Sequence, residues 1–130
     1  MFESDGEYLY LTLEALIGIH GLAIGVTANQ AADRLVRPKT LEDALARPRN
    51  AAHYEDADLA LQSAYLVHGI AEARAFIDGN KRTAAIALAT YTAINGRELD
   101  MTDDELYDLM LQLATGTDVY SIAKTLRKHL

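Results

Sequence analysis

The chain contains no cysteine and no tryptophan, and only two of its 130 residues are proline. The lack of cysteine excludes a disulfide framework, a thiolate nucleophile, and the zinc and iron–sulfur sites that need cysteine ligands. No apolar run approaches the roughly 20 residues that span a bilayer. The first residues also lack the basic start of a signal peptide. We therefore expect a cytoplasmic protein that has no membrane partner.

Positive charge is also scarce in this chain. Lysine and arginine together number 12 against 19 aspartates and glutamates, which gives a formal net charge of −7. This balance argues against direct binding of nucleic acids, because such binding needs clustered basic side chains to neutralise phosphates. Half of the residues (50%) are hydrophobic and 24% are charged, as in soluble globular domains. The length fits one hydrophobic core, so we predict a single domain over residues 1–130.

Helical patterns dominate the chain and predict an all-α fold, a compact bundle of about six helices. Thr12 and Asp118 are placed to cap the first and last helices, and Thr102 begins a capping box. Longer helices are predicted over residues 56–72 and 80–95, at the centre of the fold.

Finer expectations follow from the same patterns. Residues 8–13 alternate in polarity, so a short strand before the first helix stays an open alternative. A short helix is expected between a cap at Thr40 and a stop at Pro48, with a surface loop over residues 47–55. The inner face of the 80–95 helix is expected to carry Ile86, Ala89, Thr90, Ala93 and Ile94.

The connection between the two central helices does not read as an ordinary turn. Lys81 and Arg82 occupy the first turn of the second helix, where the helix dipole favours acidic side chains. Two cations beside unpaired N–H groups repel each other unless an anion lies among them, and phosphate is the simplest such anion. Gly79 lets the backbone approach that anion, and Asp78 offers the oxygen ligand that Mg²⁺ needs. The alternative, solvated cations beside a plain Asp-Gly turn, stays open on this reasoning.

The segment from Phe76 to Thr83 resembles the signature of the Fic/Doc family, written His-x-Phe-x-Asp/Glu/Asn-Gly/Ala-Asn-Gly/Lys-Arg. Lys81 is typical of the Doc (death-on-curing toxin) branch. So is Ala85, which stands where the Fic pattern has a second arginine. Similar residues recur along nearly the whole chain, at 11–14, 41–48, 95–96 and 114–116.

This resemblance implies an all-α transferase that moves part of a nucleoside triphosphate to a hydroxyl, with ATP and Mg²⁺ as cofactors. It implies a Mg²⁺ ligand at Asp78 and a phosphate cradle formed by Gly79, Asn80, Lys81 and Arg82. Doc-type members phosphorylate elongation factor Tu, other Fic proteins attach AMP, and a Phd-type antitoxin silences Doc toxins. We therefore expect a Doc-like kinase that has an antitoxin partner.

Position 74 does not follow the family pattern. The first residue of the motif is a histidine, the general base that accepts the proton of the target hydroxyl, and this chain has Arg74 there. Arginine stays protonated in proteins and cannot act as a base. We therefore expect an impaired catalyst, either a toxin carrying an inactivating substitution or a pseudoenzyme that binds nucleotide or a partner. An AMP-transferring enzyme and a helical interaction module without a site are the remaining alternatives.

The histidines of the chain lie outside the motif. His68, one and a half turns before Arg74, is expected to be an ordinary core or surface residue rather than a substitute base. The same expectation holds for His20, His53 and His129, since no pair of them has metal-ligand spacing with a carboxylate.

Overall fold

The computed structural model describes residues 2–130 and confirms the all-α bundle. Two short antiparallel strands precede the first helix, and they pair Phe2 with Leu11. Seven helices follow in the described range. The elements are β1 (Phe2–Ser4), β2 (Leu9–Leu11), α1 (Leu13–Ile24), α2 (Ala28–Asp33), α3 (Pro38–Tyr54), α4 (Leu59–Ala73), α5 (Asn80–Ile94), α6 (Asp103–Ala114) and α7 (Val119–Arg127). Each helix within residues 2–130 is too short or too polar to cross a membrane.

Several helices begin at capping side chains of the sequence, but the predicted cap at Thr40 is wrong, because α3 already begins at Pro38 and Thr40 lies inside it. The side chains of Thr12, Thr102 and Asp118 each accept a hydrogen bond from the backbone N–H three residues later. A second capping box, formed by Thr27 and Gln30, begins α2, a helix that we did not predict. Its six residues bury only one side chain, and so short an element has no apolar period to detect.

The predicted stop at Pro48 is wrong, because α3 continues through it to Tyr54. The predicted surface loop over residues 47–55 is therefore helical almost to its end. A proline inside a helix costs about 3 kcal/mol. Here Pro48 is itself buried, between Leu45 and Ala51 on the face that packs against α4. Burial of this continuous face offsets the lost backbone hydrogen bond.

The central pair of helices, α4 and α5, is confirmed, but the predicted inner face of α5 is wrong. Tyr91 is fully buried, whereas Ala89 and Ala93 are exposed. A tyrosine can be buried when its hydroxyl finds a partner. The Tyr91 hydroxyl donates to the buried Gln62 Oε1 at 2.6 Å, so Tyr91 is buried with its polar group paired. The buried side chains of α5 are Thr83, Ala84, Ala87, Leu88, Tyr91 and Thr92.

Candidate active site

The connection between α4 and α5 lines a cavity of about 970 Å³. All six predicted site residues line this cavity, namely Arg74, Asp78, Gly79, Asn80, Lys81 and Arg82. Arg37, from the segment before α3, lines the same cavity and was not predicted. The lining thus holds four cations and one carboxylate, in a chain whose net charge is −7.

In the described part of the chain, the four cations of this cavity lack acidic partners. Within residues 2–130, Arg37, Arg74, Lys81 and Arg82 form no ion pair with a carboxylate. Arg82 donates from Nη1 to the Ala23 carbonyl oxygen at 3.3 Å, and this bond leaves its positive charge uncompensated. Unpaired cations gathered in one cavity produce a positive potential that attracts an anionic ligand.

The segment between α2 and α3, here called the brace (residues 34–37), fixes the loop backbone. Two N–H groups of the brace donate to the Ala75 carbonyl oxygen at 2.7 and 3.1 Å. The Ile77 N–H donates back to the Arg34 carbonyl oxygen at 3.0 Å. Sequence reasoning missed the brace because backbone hydrogen bonds do not depend on a particular side chain.

Gly79 and Asn80 set the shape of the loop where α5 begins. Gly79 has φ of 72°, and a Cβ on it would lie 2.6 Å from Ile24 Cγ2, so only glycine fits without movement. No side chain caps the start of α5. The Asn80 amide donates to the Phe76 carbonyl oxygen at 3.0 Å and accepts from the Phe76 N–H at 3.1 Å. Asn80 therefore holds the turn, and the first N–H groups of α5 lack a capping side chain.

Asp78, the predicted metal ligand, is exposed and forms an ion pair with Arg34 of the brace. The hydrogen bond from Arg34 lowers the pKa of Asp78, so the carboxylate stays charged at neutral pH. Within residues 2–130, no three His, Cys, Asp or Glu side chains converge to hold a metal by themselves. Mg²⁺ often uses one or two carboxylates and completes its shell with water and substrate phosphates. The donor chemistry of Asp78 fits a Mg²⁺ ion that arrives with a nucleotide.

Arg74 follows the end of α4 in a left-handed conformation, with φ of 46°. Its carbonyl oxygen accepts a hydrogen bond from Arg37 Nη1 at 3.0 Å. Its side chain is exposed and lines both the main cavity and a second cavity of about 540 Å³. Lys81 also lines both cavities. His68 lies in the second cavity and pairs with Glu72 at 3.0 Å, so it does not stand in for a base in the main cavity.

Phe76 and His20 lie beneath the loop. Phe76 is 2% exposed and anchors the loop in the core. His20 on α1 is fully buried, as expected of a core residue. Its ring nevertheless stacks directly on Phe76, and no sequence signal pointed to this contact.

Comparisons with known proteins identify the family of this chain. A family model described as "Fic/DOC family" matches residues 10–92, a range that contains every residue lining the main cavity. The protein "Toxin Doc" of Mycolicibacterium smegmatis (strain ATCC 700084 / mc(2)155) is 41% identical over 91 residues. That match covers 66% of this chain and 70% of the relative.

Proposed function

The chain belongs to the Fic/DOC family, and we propose that it is the toxin of a toxin–antitoxin pair whose fold serves phosphate transfer to a protein hydroxyl. The observation that supports this most is the cavity beside the uncapped start of α5, whose four cations have no carboxylate partner in the part of the chain that the structure describes. A nucleoside triphosphate carries the negative charges that such a cavity would balance. The proposed donor is ATP, and the proposed acceptor is a hydroxyl of elongation factor Tu.

Each loop residue has a proposed part in holding the nucleotide. Lys81 and Arg82 bind phosphate oxygens by charge, and the N–H groups after Gly79 bind them as donors. Asn80 keeps the turn in shape through its two bonds to Phe76. Asp78 would hold Mg²⁺, which when bound neutralises charge on the phosphates.

Position 74 decides whether the bound nucleotide reacts. Transfer to a hydroxyl needs a group that accepts the hydroxyl proton, and Arg74 cannot do so. Within the described residues, Asp78 is the one carboxylate that lines the main cavity, and Arg34 already engages it. We propose that the chain binds nucleotide but is catalytically impaired, and that histidine at this position restores transfer.

A non-catalytic binder is a second candidate function. The Arg74 side chain adds a charge to the cavity and lacks an acidic partner in residues 2–130, as expected of a phosphate ligand. AMP transfer is the weaker alternative, because Lys81 and Ala85 depart from the Fic pattern of that activity. The two catalytic alternatives differ in which phosphate of ATP is transferred.

The proposed partner is a Phd-type antitoxin that covers the second cavity. Met110 and Leu113 of α6 give this cavity an apolar wall, and the His68–Glu72 pair gives it a polar edge. An amphipathic or extended segment that orders on binding fits such a groove. Co-purification with the product of the adjacent gene tests this, and recovery of the chain alone at micromolar concentration would count against it.

Calorimetry with ATP and Mg²⁺ tests the proposed nucleotide site. Each charge-assisted contact is worth about 1.5–3 kcal/mol, so Lys81→Ala and Arg82→Ala are each expected to weaken binding roughly tenfold or more. Lys124→Ala is the control, since it removes an exposed cation on α7 outside the cavity. Equal affinities for the parent chain and all three variants would refute the site.

A further inference from the structure

A buried histidine supports the loop from below. The ring of His20 stacks on the ring of Phe76, with centroids 3.7 Å apart and planes at 11°. His20 comes from the middle of α1, so this contact ties the first helix of the fold to the loop between α4 and α5.

A short chain of hydrogen bonds continues from the same ring. His20 Nδ1 lies 2.8 Å from Thr83 Oγ1, and the Thr83 hydroxyl donates to the Gly79 carbonyl oxygen at 2.8 Å. A hydroxyl has one proton to donate, so His20 Nδ1 must carry the proton of the first bond. This fixes the neutral tautomer with the lone pair on Nε2, which is buried without a hydrogen-bond partner in residues 2–130. Burial also lowers the pKa of His20, in keeping with a neutral ring.

Gly79 also lies against the ring. A Cβ built on Gly79 would lie 3.4 Å from His20 Cε1. His20 is therefore linked to the loop at its start, at its turn and in the first helical turn after it. The three positions are Phe76, Gly79 and Thr83. Along the sequence, Asp78, Asn80, Lys81 and Arg82 lie between the first and the last of them.

We propose that His20 is a positioning residue for the phosphate cradle. Its ring supports the loop from below through the stack on Phe76. Its Nδ1–H holds the Thr83 hydroxyl against the Gly79 carbonyl oxygen, and this bond adds to the helical bond that the same oxygen accepts from the Thr83 N–H at 2.9 Å. That carbonyl group shares a planar peptide unit with the Asn80 N–H, the first donor of α5, so its orientation fixes where that donor points. The inference rests on the proposed function, because the site that His20 positions is the proposed nucleotide site.

Two substitutions separate the contributions of the ring. His20→Phe keeps an aromatic surface against Phe76 and removes the donor to Thr83. His20→Asn keeps a side-chain N–H near the Nδ1 position and removes the stacked ring. Thr83→Val breaks the same hydrogen-bond chain and keeps a side chain of similar shape. If the His20 variants do not fold, this variant tests whether the chain positions the loop.

A matched control separates positioning from ordinary loss of stability. Gln62 and Tyr91 form a buried polar pair between α4 and α5, and Gln62 lies near the start of α4, at the opposite end from the loop. Gln62→Leu is expected to lower the free energy of unfolding without moving the loop. A purely structural role for His20 predicts that its variants behave like Gln62→Leu.

The experiment measures three quantities for each full-length variant. They are the urea midpoint of unfolding, the NMR chemical shifts of the Gly79 and Asn80 amides without ligand, and the dissociation constant for ATP with Mg²⁺. We expect His20→Phe and Thr83→Val to shift both amide resonances and to weaken ATP binding about two- to tenfold, the range for one neutral hydrogen bond. His20→Asn is expected to recover part of the affinity lost in His20→Phe.

The outcomes distinguish the two proposals. Loop amides and ATP affinity that match the parent chain in both His20→Phe and Thr83→Val would overturn the positioning role, as would effects no larger than those of Gln62→Leu. If the parent chain binds no ATP, the proposed function fails. The amide shifts then still test whether His20 positions the loop.

Discussion

Replacing Gly79 by alanine is expected to displace the loop and remove tight ATP binding. Gly79 has φ of +72°, and the left-handed conformation costs an L-residue about 1–2 kcal/mol. The new Cβ would also lie 2.6 Å from Ile24 Cγ2, which is too close for a real contact. Overpacking of this kind costs about 1–3 kcal/mol. If the loop kept its conformation, the variant's free energy of unfolding would therefore be about 2–5 kcal/mol lower than the parent's.

Two further variants separate the backbone cost from the collision. Gly96 has φ of +80° and no atom within 4 Å of an added Cβ, so Gly96→Ala is expected to lose only the backbone cost of about 1–2 kcal/mol. Ile24→Ala removes the colliding methyl group. In that background, the further loss caused by Gly79→Ala is expected to fall to the Gly96→Ala value. Urea unfolding gives the free energies, and calorimetry gives the ATP affinity.

Two results would refute this account of Gly79. One is an equal loss of unfolding free energy for Gly79→Ala and Gly96→Ala, because the collision would then cost nothing. The other is parent-like ATP affinity in Gly79→Ala, because the close approach of the loop to α1 would then be irrelevant to the cradle.

Further predictions concern carboxylates whose pKa values are lowered. Arg34→Ala is expected to raise the pKa of Asp78 toward its ordinary 3.8, because it removes the hydrogen bond to that carboxylate. Arg37 bonds the Arg74 carbonyl oxygen instead, so Arg37→Ala is expected to raise the pKa of Asp78 less. Carboxyl-carbon NMR measures both values, and an unchanged Asp78 in Arg34→Ala would contradict the ion pair. The hydrogen bond from Tyr10, with smaller contributions from the Tyr8 and Glu7 N–H groups, lowers the pKa of Asp5 from 3.8 to about 2. The charged carboxylate therefore stabilises the fold above about pH 3.8, and this contribution is lost as the pH falls toward 2. Urea unfolding of Tyr10→Phe should show less destabilisation than the parent between about pH 5 and pH 3, and an identical acid response would contradict this.

Local signals made several helix starts and part of the candidate site predictable from the sequence. Thr12, Thr102 and Asp118 cap their helices because a short polar side chain before an apolar stripe satisfies free N–H groups without help from the rest of the fold. Lys81 and Arg82 stood out for a related reason, since cations in the first turn of a helix oppose its dipole. Both patterns lie within a few consecutive residues.

Contacts between distant segments explain what the sequence did not predict. The brace contacts the loop mainly through backbone atoms. His20 contacts it through the ring of Phe76 and the hydroxyl of Thr83, which are both far from His20 in the sequence. On α5 the buried residues Ala84, Leu88 and Tyr91 are spaced four and three residues apart, as on one helix face, and the burial of Tyr91 is accompanied by its bond to Gln62 of α4. α3 passes Pro48 because packing outweighs a strong local stop signal.

The most direct test uses Arg74→His with elongation factor Tu and ATP labelled at either the γ- or the α-phosphate. General-base catalysis contributes about 10²–10⁴-fold, so the histidine form is expected to transfer γ-label at least about a hundredfold faster than the arginine form. No α-label is expected on the target. Equal γ-transfer by both forms would contradict the role of position 74, and α-label on the target would contradict phosphate transfer in favour of AMP transfer.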